Sequence, residues 1–138
     1  MTHTVNTRWV EKMAFESEVG THKIMLDADD EAGGEDRGPR PKILLLTALG
    51  GCTGMDVIYI LKKMRVDPSY FNLNVEATVS DDEIKRYAKI HVVYEFKDGD
   101  NLDKKKVQNA VELSQNKYCS VSAMLRDGSE VTYEIKYL

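Results

Sequence analysis

Residues 39–64 read PRPKILLLTALGGCTGMDVIYILKKM, and how this stretch is read decides the fold. From Ile43 to Leu61 the only charged residue is Asp56, with Lys42 before it and Lys62 and Lys63 after it. Length and apolarity match a membrane span, yet a central aspartate costs about 2.5 to 3.5 kcal/mol on insertion scales, and several positions go to glycine, threonine and tyrosine. The stretch therefore reads as a buried helix of a globular domain. Pro41 suits its first turn, and it runs to Met64 or Arg65, stopping ahead of Asp67-Pro68. At about 100° per residue, Ile43, Leu44, Leu45, Leu46, Leu49, Met55, Val57, Ile58, Ile60 and Leu61 leave no continuous polar face. Gly50, Gly51 and Gly54 each cost roughly 1 kcal/mol against alanine in a helix interior, so something must come close to this backbone: a helix, a sheet or a ligand beside Cys52.

The flanking segments supply the packing partners. Upstream, Trp9, Val10, Met13 and Phe15, then Ile24 and Leu26 beyond the turn-like Val19-Gly20-Thr21-His22, predict an N-terminal hairpin within residues 1–27. Residues 28–38, ADDEAGGEDRG, form an acidic, glycine-rich surface loop and the expected flexible point. Downstream, Phe71, Leu73, Val75, Ala77 and Val79 alternate with polar residues, and Ile90, Val92, Tyr94 and Phe96 repeat the pattern. This is an antiparallel pair with one wet face. Asn101 or Asp103 can cap a second helix with Val107, Ala110, Val111 and Ser114 on its inner stripe, and a last strand carries Val131, Tyr133, Ile135 and Tyr137. The order of elements predicts a single α+β domain over residues 1–138, with its main body at 39–138. A single sheet covers only one side of the apolar helix, so a second copy of the chain is expected on the other, giving a homodimer.

Composition narrows the function. The chain has 138 residues, 23 acidic and 19 basic, for a net charge of −4, and no basic stripe with interleaved aromatics, which argues against a nucleic-acid partner. Two cysteines are too few for a disulfide scaffold, and the polar start MTHTVNTRWV lacks the apolar core of a signal peptide, so a reducing, cytoplasmic setting is expected. His3, His22 and His91 have no carboxylate or cysteine at ligand spacing, which gives no metal site. The run GGCTG lacks the spacing and the Lys-Ser/Thr ending of a phosphate-binding loop, and no cofactor is expected.

The two sulfurs read differently. Cys52, alone on an apolar helix, behaves as a small buried hydrophobe, and the Asp56 carboxylate one turn on opposes a thiolate there unless a cation pairs with it. Cys119 lies between one helix end and a short second helix capped by Ser120 or Ser122. Backbone N–H groups and the positive end of the helix dipole favour a thiolate there, while an ordinary packed corner reads equally well.

Taken together, residues 39–64 and LSQNKYCSVSAML at 113–125 resemble the OsmC/organic hydroperoxide resistance family, and more closely its OsmC-like branch. The likeness extends from RWV at residues 8–10 to the closing strand. It implies an intertwined α+β homodimer whose long central apolar helices are enclosed by antiparallel sheets from both subunits. It also implies a thiol peroxidase for organic hydroperoxides, with Cys52 forming a sulfenic acid, Cys119 resolving it to a disulfide, and a dithiol reductant of the dihydrolipoyl type resetting the pair. The chain departs from the family pattern in one respect. The family's peroxidases pair the reactive cysteine with an arginine from the N-terminal sheet and a glutamate ahead of the cysteine. Here residues 40–43 carry no acid, and the early strands offer only Arg8 and Lys12. Arg40 and Lys42 are the cations left to support a thiolate. The departure leaves a second reading open, a noncatalytic binder of an acyl or other hydrophobic small molecule in the dimer cleft.

Overall fold

The computed structural model describes residues 1–97 and 101–138. The chain falls into two compact units, residues 1–45 and 46–138.

In the N-terminal unit three strands, β1 (Asn6–Glu11), β2 (Ala14–Val19) and β3 (His22–Leu26), form an antiparallel meander in the order β1-β2-β3. The sequence pattern had predicted a single hairpin. The extra reversal lies at Lys12, which adopts a left-handed φ of 49° without the glycine or asparagine that usually marks such a turn. Trp9 Nε1 donates to the Lys12 carbonyl at 2.9 Å and closes that turn.

The acidic loop is organised rather than loose. Buried Asp27 accepts backbone N–H bonds from Ala28 at 2.8 Å, Glu35 at 3.2 Å and Arg37 at 3.1 Å, and the Arg37 guanidinium lies 3.6 Å away. Burial pulls the Asp27 carboxyl upward, but the N–H donors and Arg37 outweigh it and hold it below its ordinary value. Asp29 caps a short 3₁₀ turn, Asp30–Ala32. Gly38 has no room for a side chain, since a Cβ there would sit 2.1 Å from the Met25 carbonyl oxygen.

Helix α1 (Leu44–Lys63) starts three residues later than the sequence predicted, because the residues from Pro41 form a separate turn with Leu44 N–H bonded to the Pro41 carbonyl at 3.1 Å. It is long and apolar enough to cross a membrane by length and composition alone. In the C-terminal unit, however, its buried Leu49, Val57 and Leu61 belong to one core with Ile90, Val92, Tyr94 and Phe96. Two of its glycines face strand β4 (Phe71–Val79). A Cβ on Gly54 would lie 3.0 Å from Leu73 Cδ1, and one on Gly50 would lie 3.5 Å from Val75 Cγ2, while Gly51 faces open space. Close approach of the sheet therefore accounts for Gly54, the tightest of the three.

Strand β4 pairs antiparallel with β5 (Tyr87–Phe96), as the period-two pattern predicted. Phe71 opposes Phe96, with stacked rings 4.6 Å apart. The second sheet is not wholly antiparallel: β6 (Glu130–Tyr137) lies parallel to β5, giving the order β4-β5-β6. A parallel neighbour requires a crossover, and α2 (Lys104–Leu113), a π-helical turn (Ser114–Tyr118) and α3 (Ser120–Arg126) supply it. Asp103 caps α2 by accepting the Lys106 N–H at 3.2 Å, and Val107, Ala110, Val111 and Ser114 are fully buried. The α+β class holds.

Candidate functional site

The site begins with helical spacing. Cys52 and Asp56, four residues apart on α1, share one face, and Thr53 lies fully buried beside them. The crossover brings the second thiol to this face. At the end of α2 the chain takes on a π turn, in which the Cys119 N–H reaches back five residues to the Ser114 carbonyl at 2.8 Å. The wider turn buries two consecutive polar side chains, Ser114 and Gln115, and then breaks so that Cys119 leads into α3.

The α3 cap is the sulfur itself. Ser122 N–H donates to Cys119 Sγ at 3.4 Å, where Ser120 or Ser122 had been expected as the capping side chain. One sulfur atom each from Cys52 and Cys119 and one Asp56 carboxylate oxygen lie within 4.8 Å of one another. Both cysteines are free thiols, Cys52 half-buried and Cys119 only 4% exposed.

These neighbours set the character of Cys119. Burial pushes its thiol up, the Ser122 N–H pulls it back, and Cys52 and Asp56 add to the rise, leaving it at about 11. The position ahead of a helix thus fails to produce a ready thiolate, contrary to the dipole argument. A short helix end is a weaker influence here than a buried, carboxylate-flanked environment. The opposition expected from Asp56 is realised on Cys119.

Behind the thiols runs a continuous set of buried polar contacts. Ser114 Oγ donates to Asp56 Oδ2 at 2.9 Å, Ser114 and Thr53 hydroxyls are 2.7 Å apart, and Thr53 Oγ1 lies 2.6 Å from the Tyr94 hydroxyl. Gln115 Nε2 donates to the Tyr94 hydroxyl at 2.6 Å. Gln115 Oε1 accepts from Ser122 Oγ at 2.8 Å and from Arg126 Nη2 at 2.9 Å, while Arg126 Nη1 donates to the Gln115 carbonyl at 2.6 Å. Burial lifts the Tyr94 hydroxyl above its ordinary value, against the bonds from Thr53 and Gln115. Sequence reading placed Ser114 and Tyr94 in the core but did not join them to the cysteines. The only available signal was the mismatch of a serine and a glutamine following an apolar helical stripe.

Asp56 also borders a cleft of about 600 Å³ lined by Tyr59, Ile60, Lys63, Met64, Leu113 and Tyr118. The two cations proposed as thiolate support belong to the N-terminal unit: Arg40 pairs with Asp36, with its Nη1 buried and lacking a hydrogen-bond partner, and Lys42 sits in the turn before α1. His91, on the outer face of the second sheet, bonds Thr132 at 2.7 Å and Glu134 at 3.0 Å. The histidines thus gather no set of metal donors among the described residues; the donors of that kind that the fold collects are the two sulfurs and the Asp56 carboxylate.

Comparison with known proteins agrees with this arrangement. Residues 33–134 match the family described as OsmC-like protein. The chain is 31% identical over 127 residues to Protein YhfA of Escherichia coli K12, with 91% of each chain covered. A hypothetical protein from Aquifex aeolicus VF5 has a similar solved structure, with a TM-score of 0.82 and 28% identity over 100% of this chain and 98% of that one. The organic hydroperoxide resistance protein OhrB of Bacillus subtilis shares the fold at a TM-score of 0.70 and 20% identity, over 99% of this chain and 98% of its own.

Proposed function

Because this chain belongs to the OsmC-like protein family, we propose that it reduces organic hydroperoxides, with Cys52 as the attacking thiol and Cys119 as the resolving one. The observation that carries this reading is the approach of the two sulfurs to within 4.8 Å from distant parts of the chain. That separation is short enough for disulfide formation with modest side-chain rotation. The division of roles follows from exposure. Cys52 is the more accessible sulfur, whereas Cys119 is sealed and protonated at neutral pH, which suits a group that waits for its partner to be oxidised.

In the first step the Cys52 thiolate attacks the terminal peroxide oxygen, the O–O bond breaks, and the alkoxide takes up a proton and leaves as an alcohol. Cys52 is then a sulfenic acid. Cys119 displaces its hydroxyl to give a disulfide and water, and a dithiol, for which a dihydrolipoyl group is the family precedent, restores both thiols. Arg40, whose Nη1 lacks a hydrogen-bond partner, and Lys42 are the cations proposed to support the Cys52 thiolate. Free thiols persist in a reducing compartment, which fits a cytoplasmic location.

We also infer a homodimer. On α1, Met55 is 76% and Tyr59 62% exposed, an apolar face that a second copy would cover. Light scattering should give twice the chain mass, and Met55→Glu should shift it toward the monomer.

The reaction is tested with purified protein, cumene hydroperoxide and dihydrolipoamide. Wild type should turn over, Cys52→Ser should not, and one equivalent of peroxide should produce a Cys52–Cys119 disulfide in a peptide map. Equal peroxide consumption by wild type and Cys52→Ser rejects the assignment. The apolar cleft beside Asp56 favours one other reading, a carrier of a hydrophobic small molecule. Under that reading, native mass spectrometry retains a ligand and peroxide consumption is absent.

A further inference from the structure

The polar contacts behind the thiols have a single direction, and it can be worked out proton by proton. Each hydroxyl has one proton to give. Ser114 gives its proton to Asp56, so Thr53 must donate to Ser114 and Tyr94 must donate to Thr53. Tyr94 in turn accepts from Gln115 Nε2. The Gln115 amide cannot turn over, because its oxygen is held by Ser122 and Arg126 and its backbone carbonyl is held by the same arginine. Running the chain backwards would require Tyr94 to donate to Gln115, which presents only N–H there. A proton that arrives on Asp56 therefore has no path into the interior and can leave only toward the sulfurs and the cleft.

Resting on the peroxidase reading above, we propose that Asp56 is the proton-transfer group of the resolving step. It takes the thiol proton of Cys119 as that sulfur attacks Cys52, and passes it to the departing hydroxyl. Atoms and electrons balance within the site. The Cys119 sulfur lone pair forms the S–S bond, the Cys52 S–O bond breaks with its electron pair on oxygen, and the transferred proton converts the hydroxide into water. The oxidising equivalent is the one already delivered by the hydroperoxide. Arg126, acting through Gln115, is a positioning residue that fixes the polarity of the chain holding Asp56.

The geometry meets the requirements for such a group. The Asp56 carboxylate lies within 4.8 Å of both sulfurs and also borders the cleft through which water can leave. The need for it is equally plain. With Cys119 at about 11, only about one thiol in ten thousand is ionised at pH 7, so an unassisted attack would be slow. The titratable and charged groups facing this point are Cys52 on α1, Cys119 ahead of α3 and Tyr94 from β5, with Tyr59, Lys63 and Tyr118 around the cleft and Arg126 at the far end of the chain.

The test follows single-turnover oxidation of the reduced protein by one equivalent of cumene hydroperoxide, trapping the sulfenic acid with dimedone and measuring the disulfide by mass. In wild type the resolving rate should be nearly flat from pH 6 to 9 and should slow about twofold in deuterium oxide. In Asp56→Asn the sulfenic acid should accumulate, with resolution about 100-fold slower and rising about tenfold per pH unit as Cys119 ionises unaided. Asp56→Glu should recover a flatter profile. A wild-type rate that already climbs tenfold per pH unit overturns the proposal without recourse to any variant, as does an Asp56→Asn protein that resolves at the wild-type rate. Absence of any trapped sulfenic acid or disulfide in wild type would overturn the peroxidase reading, and this inference with it.

Discussion

Replacing Thr53 by valine is a nearly isosteric change at a fully buried helical position, so it removes a hydroxyl without opening a cavity. Valine is acceptable in the helix, and the effect is confined to the hydrogen bonds. Two are lost, the 2.6 Å contact with Tyr94 and the 2.7 Å contact with Ser114. The Tyr94 hydroxyl then has a proton with no acceptor, and Ser114 has an oxygen with no donor. A stranded buried group costs about 1–3 kcal/mol, the donor being the more expensive, and the new methyl returns about 1 kcal/mol through burial. The expected net loss is about 1–3 kcal/mol, which a domain of this size survives. Urea denaturation at pH 7 under reducing conditions reads it as a lower midpoint at unchanged slope. Tyr94→Phe supplies the second arm. The double variant removes both ends of the 2.6 Å contact, so its loss should fall short of the sum of the two single losses by about 1–2 kcal/mol. Additivity within about 0.5 kcal/mol, or a neutral Thr53→Val, would refute the connected chain.

Two further outcomes follow from buried titratable groups. Cys119 is held above an ordinary thiol, so the folded state binds its proton more tightly than the unfolded chain does. The resulting stability is complete below about pH 8.5 and is lost as pH rises toward about 11, and Cys119→Ser should flatten that decline in a pH series of urea midpoints. Asp27 is the opposite case: its depressed carboxyl stabilises the 28–38 loop above the ordinary aspartate range, and this is lost as pH falls through the lower folded value. Asp27→Asn should make protease cleavage within that loop roughly tenfold faster at pH 7, about 1.4 kcal/mol of local opening, and an unchanged digest would remove the anchoring role.

Much of the architecture could be read from the chain because local rules and tertiary packing agreed. Phe71, Leu73, Val75 and Ala77 alternate because one face of β4 packs and the other is wet, and Asp103 caps where a capping residue precedes an apolar stripe. Disagreement arose where conformation ran against propensity or where partners were remote. Lys12 turns left-handed with no residue-type marker, so the first hairpin reversal escaped notice. A period-two pattern identifies β6 as a strand but carries no information about its direction relative to β5. The acidic run at 28–38 looked loose because its anchor, Asp27, is organised by backbone N–H groups that no side-chain pattern reveals. At the site, both cysteines were identifiable, and so was the sign of the Asp56 effect, but its main recipient was not. Gln115, Ser122 and Arg126 were invisible as partners because only the crossover brings them behind α1.

A π turn is an α-helix carrying one surplus residue, and here the surplus falls between Ser114 and Tyr118. Each residue advances a helix by about 100°. Excising a single exposed position such as Asn116 would restore regular winding while swinging Cys119 about a quarter-turn off its present bearing. The redox pair thus depends on a one-residue insertion. Descendants that lost it would keep the scaffold and, with regular winding restored, even tighten it, yet their two sulfurs would no longer meet.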